Sequence, residues 1–184
     1  MSDPNHVEIL LVEDNPEDLA LALRALQKVN LTNHIEVARD GAEALEFIFC
    51  EGAHATRQIE DGPRVILLDL KLPKVDGLEV LTRLKSDPRT RTIPVVVLTS
   101  SKEQSDVVRS YQLGVNSYIV KQVNSEGFAR AVQDLGMYWL LLNEPPKNWG
   151  NRINRARVIG AELEIEKPAE GGCRVTCRMP RMEE

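Results

Sequence analysis

"RVILLDLKLPKVDGLEVLTRLKSD" spans residues 64–87. Its opening, "RVILLDL" (64–70), is apolar almost throughout. Such a run reads as a strand buried on both faces, which is the pattern of a parallel sheet. "KLPKVDG" supplies turn chemistry through Pro73 and Gly77. "GLEVLTRLKSD" (77–87) then spaces its apolar residues as a helix does. A buried strand ending in an acid, a turn and an amphipathic helix make one βα unit.

The same unit recurs on either side. "VEILLV" (7–12) reads as a strand, and "NPEDLALALRALQKVN" as a helix with Asn15 as cap and Pro16 at the first helical position. "IEVA" (35–38) and "GAEALEFIF" (41–49) follow, then a long loop over 50–63. Beyond the opening stretch come "IPVVVLTS" (93–100), "KEQSDVVRSYQLG" (102–114), "NSYIV" (116–120) and "SEGFARAVQDLGMYWLLL" (125–142). Five βα units with right-handed crossovers imply an α/β, doubly wound, five-stranded parallel sheet. "NEPPKNWGN" (143–151) breaks the pattern. We therefore expect a main domain over 1–144, a linker over 145–151 and a helix plus β-hairpin extension over 152–184. In that extension "AELEIE" and "CRVTCRM" alternate apolar and polar residues. Glu162, Glu164 and Glu166 would share a face opposite Arg174 and Arg178, which supports the pairing.

Composition limits the function. The 184 residues are 42% hydrophobic and 28% charged, with a formal charge of −5. A net acidic chain argues against sequence-independent nucleic-acid binding. No apolar run reaches the ~18 residues of a membrane span. "MSDPNHVEILLVED" lacks the basic start of a signal peptide. Cys50, Cys173 and Cys177 form neither a disulfide framework nor a zinc pattern. A cytoplasmic protein is expected.

In a doubly wound sheet the site lies outside the carboxyl ends of the strands. Glu13 and Asp14 follow the first strand there, and Asp69 ends the third. Thr99 and Ser100 close the fourth, and Lys121 follows the fifth. Three converging carboxylates repel one another and offer hard oxygens, so Mg²⁺ is the natural counterion. A metal, a hydroxyl and a lysine together make a phosphoryl-binding site. There is no G-x-x-x-x-G-K-[ST] loop for a nucleotide. A carboxylate can itself be the nucleophile, so phosphoryl capture on Asp69 is the simplest chemistry. An aspartyl phosphatase of the dehalogenase-like type needs a second Asp two residues later, and Lys71 stands there. No residues suggest an enzyme acting on a separate small molecule. His6, His34 and His54 sit in no phosphodonor pattern.

"LLVEDN", "ILLDLKLPKVDGLEVL", "VVVLTSS" and "NSYIVK", in that order, resemble a response-regulator receiver domain of two-component systems, the chemotaxis-regulator type. Thr99 lies 30 residues after Asp69 and Lys121 lies 52 after it, while Pro73 and Gly77 match the family's turn. The resemblance covers roughly residues 5–142. It implies a sheet of flavodoxin-like order 2-1-3-4-5. It implies that Asp69 is the phosphoacceptor and that Asp14, Asp69 and the Lys71 carbonyl bind Mg²⁺, with Glu13 acting through water. Thr99, Ser100 and Lys121 would hold the phosphoryl group, and Tyr118 would be the switch aromatic that turns inward as Thr99 moves. It implies a receiver-only regulator that signals by protein contacts. One departure is Lys121-Gln122, where the family usually has Lys-Pro. A constitutive dimeric adaptor with a vestigial pocket is the alternative.

The last helix carries a further expectation. Phe128, Val132, Leu135, Trp139 and Leu142 follow one helical face, leaving Met137, Tyr138, Leu140 and Leu141 for a homodimer face formed by the fourth helix, fifth strand and fifth helix. "LGMYWLLLNEPP" is similar to the regulators encoded beside bacterial and cyanobacterial phytochromes, which implies a phytochrome histidine kinase as partner. "RARVIGAELEIEKPAEGGCRVTCRMP" resembles the closing fragment of a histidine-kinase ATP-binding domain. It lacks the nucleotide-binding motifs, so no ATP binding is expected.

Overall fold

The structure is a computed structural model that describes residues 7–28, 35–121, 125–143, 162–166 and 174–178. Five strands alternate with five helices: β1 (Ile9–Val12), α1 (Pro16–Gln27), β2 (Ile35–Ala38), α2 (Gly41–Phe49), β3 (Val65–Leu68), α3 (Gly77–Ser86), β4 (Val95–Thr99), α4 (Gln104–Gln112), β5 (Ser117–Val120) and α5 (Ser125–Met137). The strands are all parallel, in the order β2-β1-β3-β4-β5. This is the order the resemblance implied. Every residue of β1, β3 and β4 is buried. That explains their unbroken apolar sequence, since helices cover both faces.

Two cores flank the sheet. One contains Leu10, Val12, Ile66 and Leu68 with α2 and α3 residues such as Phe47 and Leu81. The other contains Ile9, Leu11, Val65 and Leu67 with Leu19 and Leu26 of α1 and Phe128 and Val132 of α5. Alternation along each strand divides the cores. Each fully buried large aliphatic side chain contributes about 1.5–3 kcal/mol.

The helix starts are set by side chains. The Asn15 side chain accepts from the Glu17 and Asp18 amides, with Pro16 in the first turn of α1. Asp40 caps α2 through the Glu43 amide, and Asp76 caps α3 through Leu78. The long loop after α2 carries two short 3₁₀ turns, Gly52–His54 and Ile59–Asp61. Arg57 braces it by stacking on Phe47 and donating to the Phe47 and Asp61 carbonyls.

The end of the last helix differs from its expected face. Residues Tyr138–Leu142 form a π turn, closed by a bond from the Asn143 amide to the Tyr138 carbonyl. The wider turn shifts the helical register. Leu140 is buried in the second core, and Met137 and Trp139 pack partly against it. Tyr138 and Leu142 are exposed. Leu140 is therefore corrected from dimer face to core, Met137 to partial core, and Leu142 from core to surface. The side chain of Leu141 lies outside the described residues, as do the linker over 145–151 and the helix expected after it. The two tail strands, β6 (Glu162–Glu166) and β7 (Arg174–Arg178), pair antiparallel, with Glu162 opposite Arg178 and Glu166 opposite Arg174.

Candidate functional site

The strand ends converge on one crevice. Val12 and Leu68 are register partners in β1 and β3, so Glu13 and Asp69, one residue further on, come out side by side. Glu13 and Asp69 are buried and Asp14 is exposed. Carboxylate oxygens of these three residues lie within 4.8 Å of one another. The turn after Asp69 is fixed from both sides. The Lys71 amide donates to Asp69 Oδ1 at 3.1 Å. A Cβ on Gly77 would lie 2.3 Å from the Asp69 carbonyl oxygen, so only glycine lets α3 start against the Asp69 backbone.

Lys121 closes the crevice. Its Nζ donates to Glu13 Oε2 at 2.5 Å, to Asp69 Oδ2 at 2.7 Å and to Asp18 Oδ2 at 2.9 Å. Burial alone would depress the ammonium's pKa, but the bonds to Asp69, Glu13 and Asp18 outweigh it and hold the pKa above its ordinary value. Burial pushes the Glu13 carboxyl up to about 7, against the opposing pull of Lys121. Three carboxylates, those of Glu13, Asp18 and Asp69, therefore share one ammonium, and Asp14 adds a fourth acid beside Glu13 and Asp69. The surplus negative charge and the all-oxygen donor set fit a hard divalent cation.

Thr99 is fully buried at the end of β4, and Ser100 is exposed beside it. Thr99 Oγ1 accepts from the Ser101 amide at 3.3 Å. Ser101 in turn donates from Oγ to Asp106 Oδ2 at 2.6 Å, tying this loop to α4. Tyr118 packs partly buried against the first core, and its hydroxyl donates to the Ser101 carbonyl at 3.2 Å. Burial raises the Tyr118 pKa, so the phenol stays protonated and able to donate.

The sequence-expected residues Glu13, Asp14, Asp69 and Lys121 meet at one place, while Thr99 and Tyr118 are joined through Ser101. Gln122 lies outside the described residues, yet Lys121 itself reaches Asp69. Asp18 was missed. At the third position of a helix it reads as an ordinary first-turn acid favoured by the dipole, and nothing in the sequence marks its contact with a lysine at the far edge of the sheet.

Residues 9–133 match the family described as response regulator receiver domain. The chain is 45% identical over 139 residues to the probable methanogenesis regulatory protein FilR2 of Methanothrix harundinacea, covering 75% of this chain and 86% of that protein. It is 41% identical over 141 residues to response regulator Rcp1 of Synechocystis, covering 76% and 92%. The Mn²⁺-bound form of Rcp1 superposes with a TM-score of 0.70 at 38% identity, over 76% of this chain and 99% of that one. The bacteriophytochrome response regulator RtBRR superposes at 0.61 with 55% identity, over 77% and 85%.

Proposed function

The chain belongs to the response-regulator receiver family, and from that membership we propose that Asp69 accepts a phosphoryl group from the phosphohistidine of a sensor kinase. One Asp69 carboxylate oxygen attacks phosphorus, a P–O bond forms, the P–N bond breaks, and the leaving imidazole takes up a proton. Glu13, Asp14 and Asp69 would hold Mg²⁺, with the Lys71 carbonyl as a further ligand. The metal, when bound, supplies charge neutralisation at the phosphoryl oxygens. Lys121 contributes the second positive charge. Thr99, with Ser100 beside it, donates a hydrogen bond once its hydroxyl leaves the Ser101 amide. The observation that carries this reading is Asp69 held 2.7 Å from a buried ammonium beside two more carboxylates whose oxygens lie close enough to share a cation with it.

Movement of Thr99 would be felt by Tyr118, because Ser101 contacts both. The output would be a change in protein contacts at the face of α4, β5 and α5, where Val108, Tyr111, Tyr138 and Leu142 are exposed. A homodimer through this face is the reading we favour, with Tyr138 and Leu142 at its centre rather than Leu140. The phytochrome partner rests on similarity to RtBRR, whose name places it in that pathway. FilR2, a relative of comparable identity, carries no such name.

Acetyl phosphate with Mg²⁺ tests the chemistry. We expect an acid-stable, hydroxylamine-labile adduct that is lost in Asp69→Asn and on chelation of the metal. An intact Asp69→Asn protein that labels as well as the native chain would refute it. Transfer from the host's phytochrome kinase, compared with its other histidine kinases, tests the partner.

A further inference from the structure

Lys121 raises a question of supply. An ammonium has three donors, and here all three are engaged, by Glu13, Asp69 and Asp18. Two of those partners belong to the group of oxygens that fits a cation, and Asp18 does not. A cation that recruits Glu13 and Asp69 therefore competes with Lys121 for two of its three acceptors. A lysine has a flexible four-carbon stem. Without a retained partner the ammonium is free to leave the crevice for water.

Asp18 is placed to be that partner. It sits in the first turn of α1, where its own amide is held by the Asn15 side chain at 3.1 Å. Its side chain is 37% exposed against 8% for Lys121, so it stands at the mouth of the crevice and faces inward to the amine. We propose that Asp18 is a positioning residue: it anchors the Lys121 ammonium inside the crevice while Glu13 and Asp69 turn to the metal, and so presents the amine to the incoming phosphoryl oxygens. The proposal rests on the reading of Asp69 as phosphoacceptor. It adds that a fourth carboxylate, outside the metal set, governs how tightly a phosphoryl group is held.

The test uses the full-length chain and the phosphoryl analogue beryllofluoride with saturating Mg²⁺, its affinity read by calorimetry. Asp18→Ala should weaken binding about tenfold, the size of a charge-assisted hydrogen bond. Asp18→Asn keeps an oxygen acceptor at the same place and should recover most of that loss. The decisive comparison is a double-mutant cycle with Lys121→Met. Because Asp18 acts through Lys121, Asp18→Ala should add no further loss when the lysine is absent. An equal loss in both backgrounds would show a general charge or helix-stability role and overturn the proposal. Tighter binding by Asp18→Ala would overturn it too, by showing that Asp18 competes with the phosphoryl group for the amine. If the native chain itself fails to bind beryllofluoride, the phosphoacceptor reading falls first. If it binds and Asp18→Ala binds equally, only the anchor is refuted.

Discussion

The two ends of the β1–β3 pair carry opposite solutions to buried charge. At the amino ends, Glu8 precedes Ile9 and Arg64 precedes Val65, and those strand residues are register partners. Glu8 and Arg64 are both buried and form an ion pair at 3.6 Å. At the carboxyl ends, five residues after Glu8 and after Arg64, the neighbours are Glu13 and Asp69, two acids. The first end places one base against one acid and is close to charge balance. The second gathers four carboxylates and one ammonium and is left with excess negative charge. The same backbone register thus makes a closed structural pair at one end and an open, cation-seeking site at the other. A family of strands is not functional along its length; the end where charges fail to cancel is the end that needs a partner.

Removing the base from each end should break this symmetry most clearly. Lys121→Met leaves Glu13 and Asp69 buried without their counterion. Stripping one partner from a buried charged group costs about 3–5 kcal/mol. In metal-free buffer well above pH 7, urea unfolding should show a loss of that order; nearer pH 7 the loss should shrink, because removing Lys121 takes away the interactions that lower the Glu13 pKa and lets that carboxyl hold a proton. Added Mg²⁺ should restore much of it, since a ligand at a hundred times its Kd contributes about 2.7 kcal/mol. A Lys121→Met protein insensitive to Mg²⁺ would show that the crevice does not bind the cation.

Arg64→Met should give a somewhat smaller loss, about 3 kcal/mol, because one acid rather than several is left unpaired. Its contrast with Lys121→Met lies in the metal response: Mg²⁺ should stabilise Arg64→Met only as much as it stabilises the native chain, so the gap between those two stays open. Glu8→Leu combined with Arg64→Met should come back close to native stability, because a buried pair and a well-packed apolar pair differ little. Glu8 Oε2 already lacks a hydrogen-bond partner among the described residues, which lowers the cost of replacing it. Urea midpoints with and without Mg²⁺ decide both points.

The contrast between the ends also explains what the sequence disclosed. The sheet was readable because each central strand is apolar on both faces, and the helices because their apolar residues recur at helical spacing, with Asn15 where a cap belongs. Glu13, Asp14, Asp69 and Lys121 were readable because the strand ends announce themselves as acids or a base after an apolar run. Asp18 and the Glu8–Arg64 pair were not. Each looks like an ordinary polar residue at an element's edge, and its partner is fixed only by the order of strands. The end of α5 failed for another reason. A face drawn at 3.6 residues per turn cannot anticipate a π turn, so Leu140 and Leu142 exchanged places.

A third, partly buried cation sharpens the comparison with the smallest effect. Lys85 donates to the carbonyls of Arg91 and Ile93 at 3.1 and 2.8 Å, and these bonds bring it no carboxylate. Where three acids lift the pKa of Lys121, burial drops that of Lys85 from 10.5 to about 8. Between about 8 and 10.5 the unfolded chain therefore holds a proton that the folded chain has released. Stability contributed by this residue rises with pH through that window, and below about 8 the charged amine is a constant burden on the fold. Lys85→Met removes the titration while keeping the stem's packing. The native chain should gain stability on Lys85→Met as pH rises through the window, seen as converging or crossing urea midpoints. Parallel pH profiles for the two proteins would mean that the two carbonyls serve the ammonium as well as carboxylates do, and that the charge excess in the crevice, not the pairing of Lys121, sets the two lysines apart.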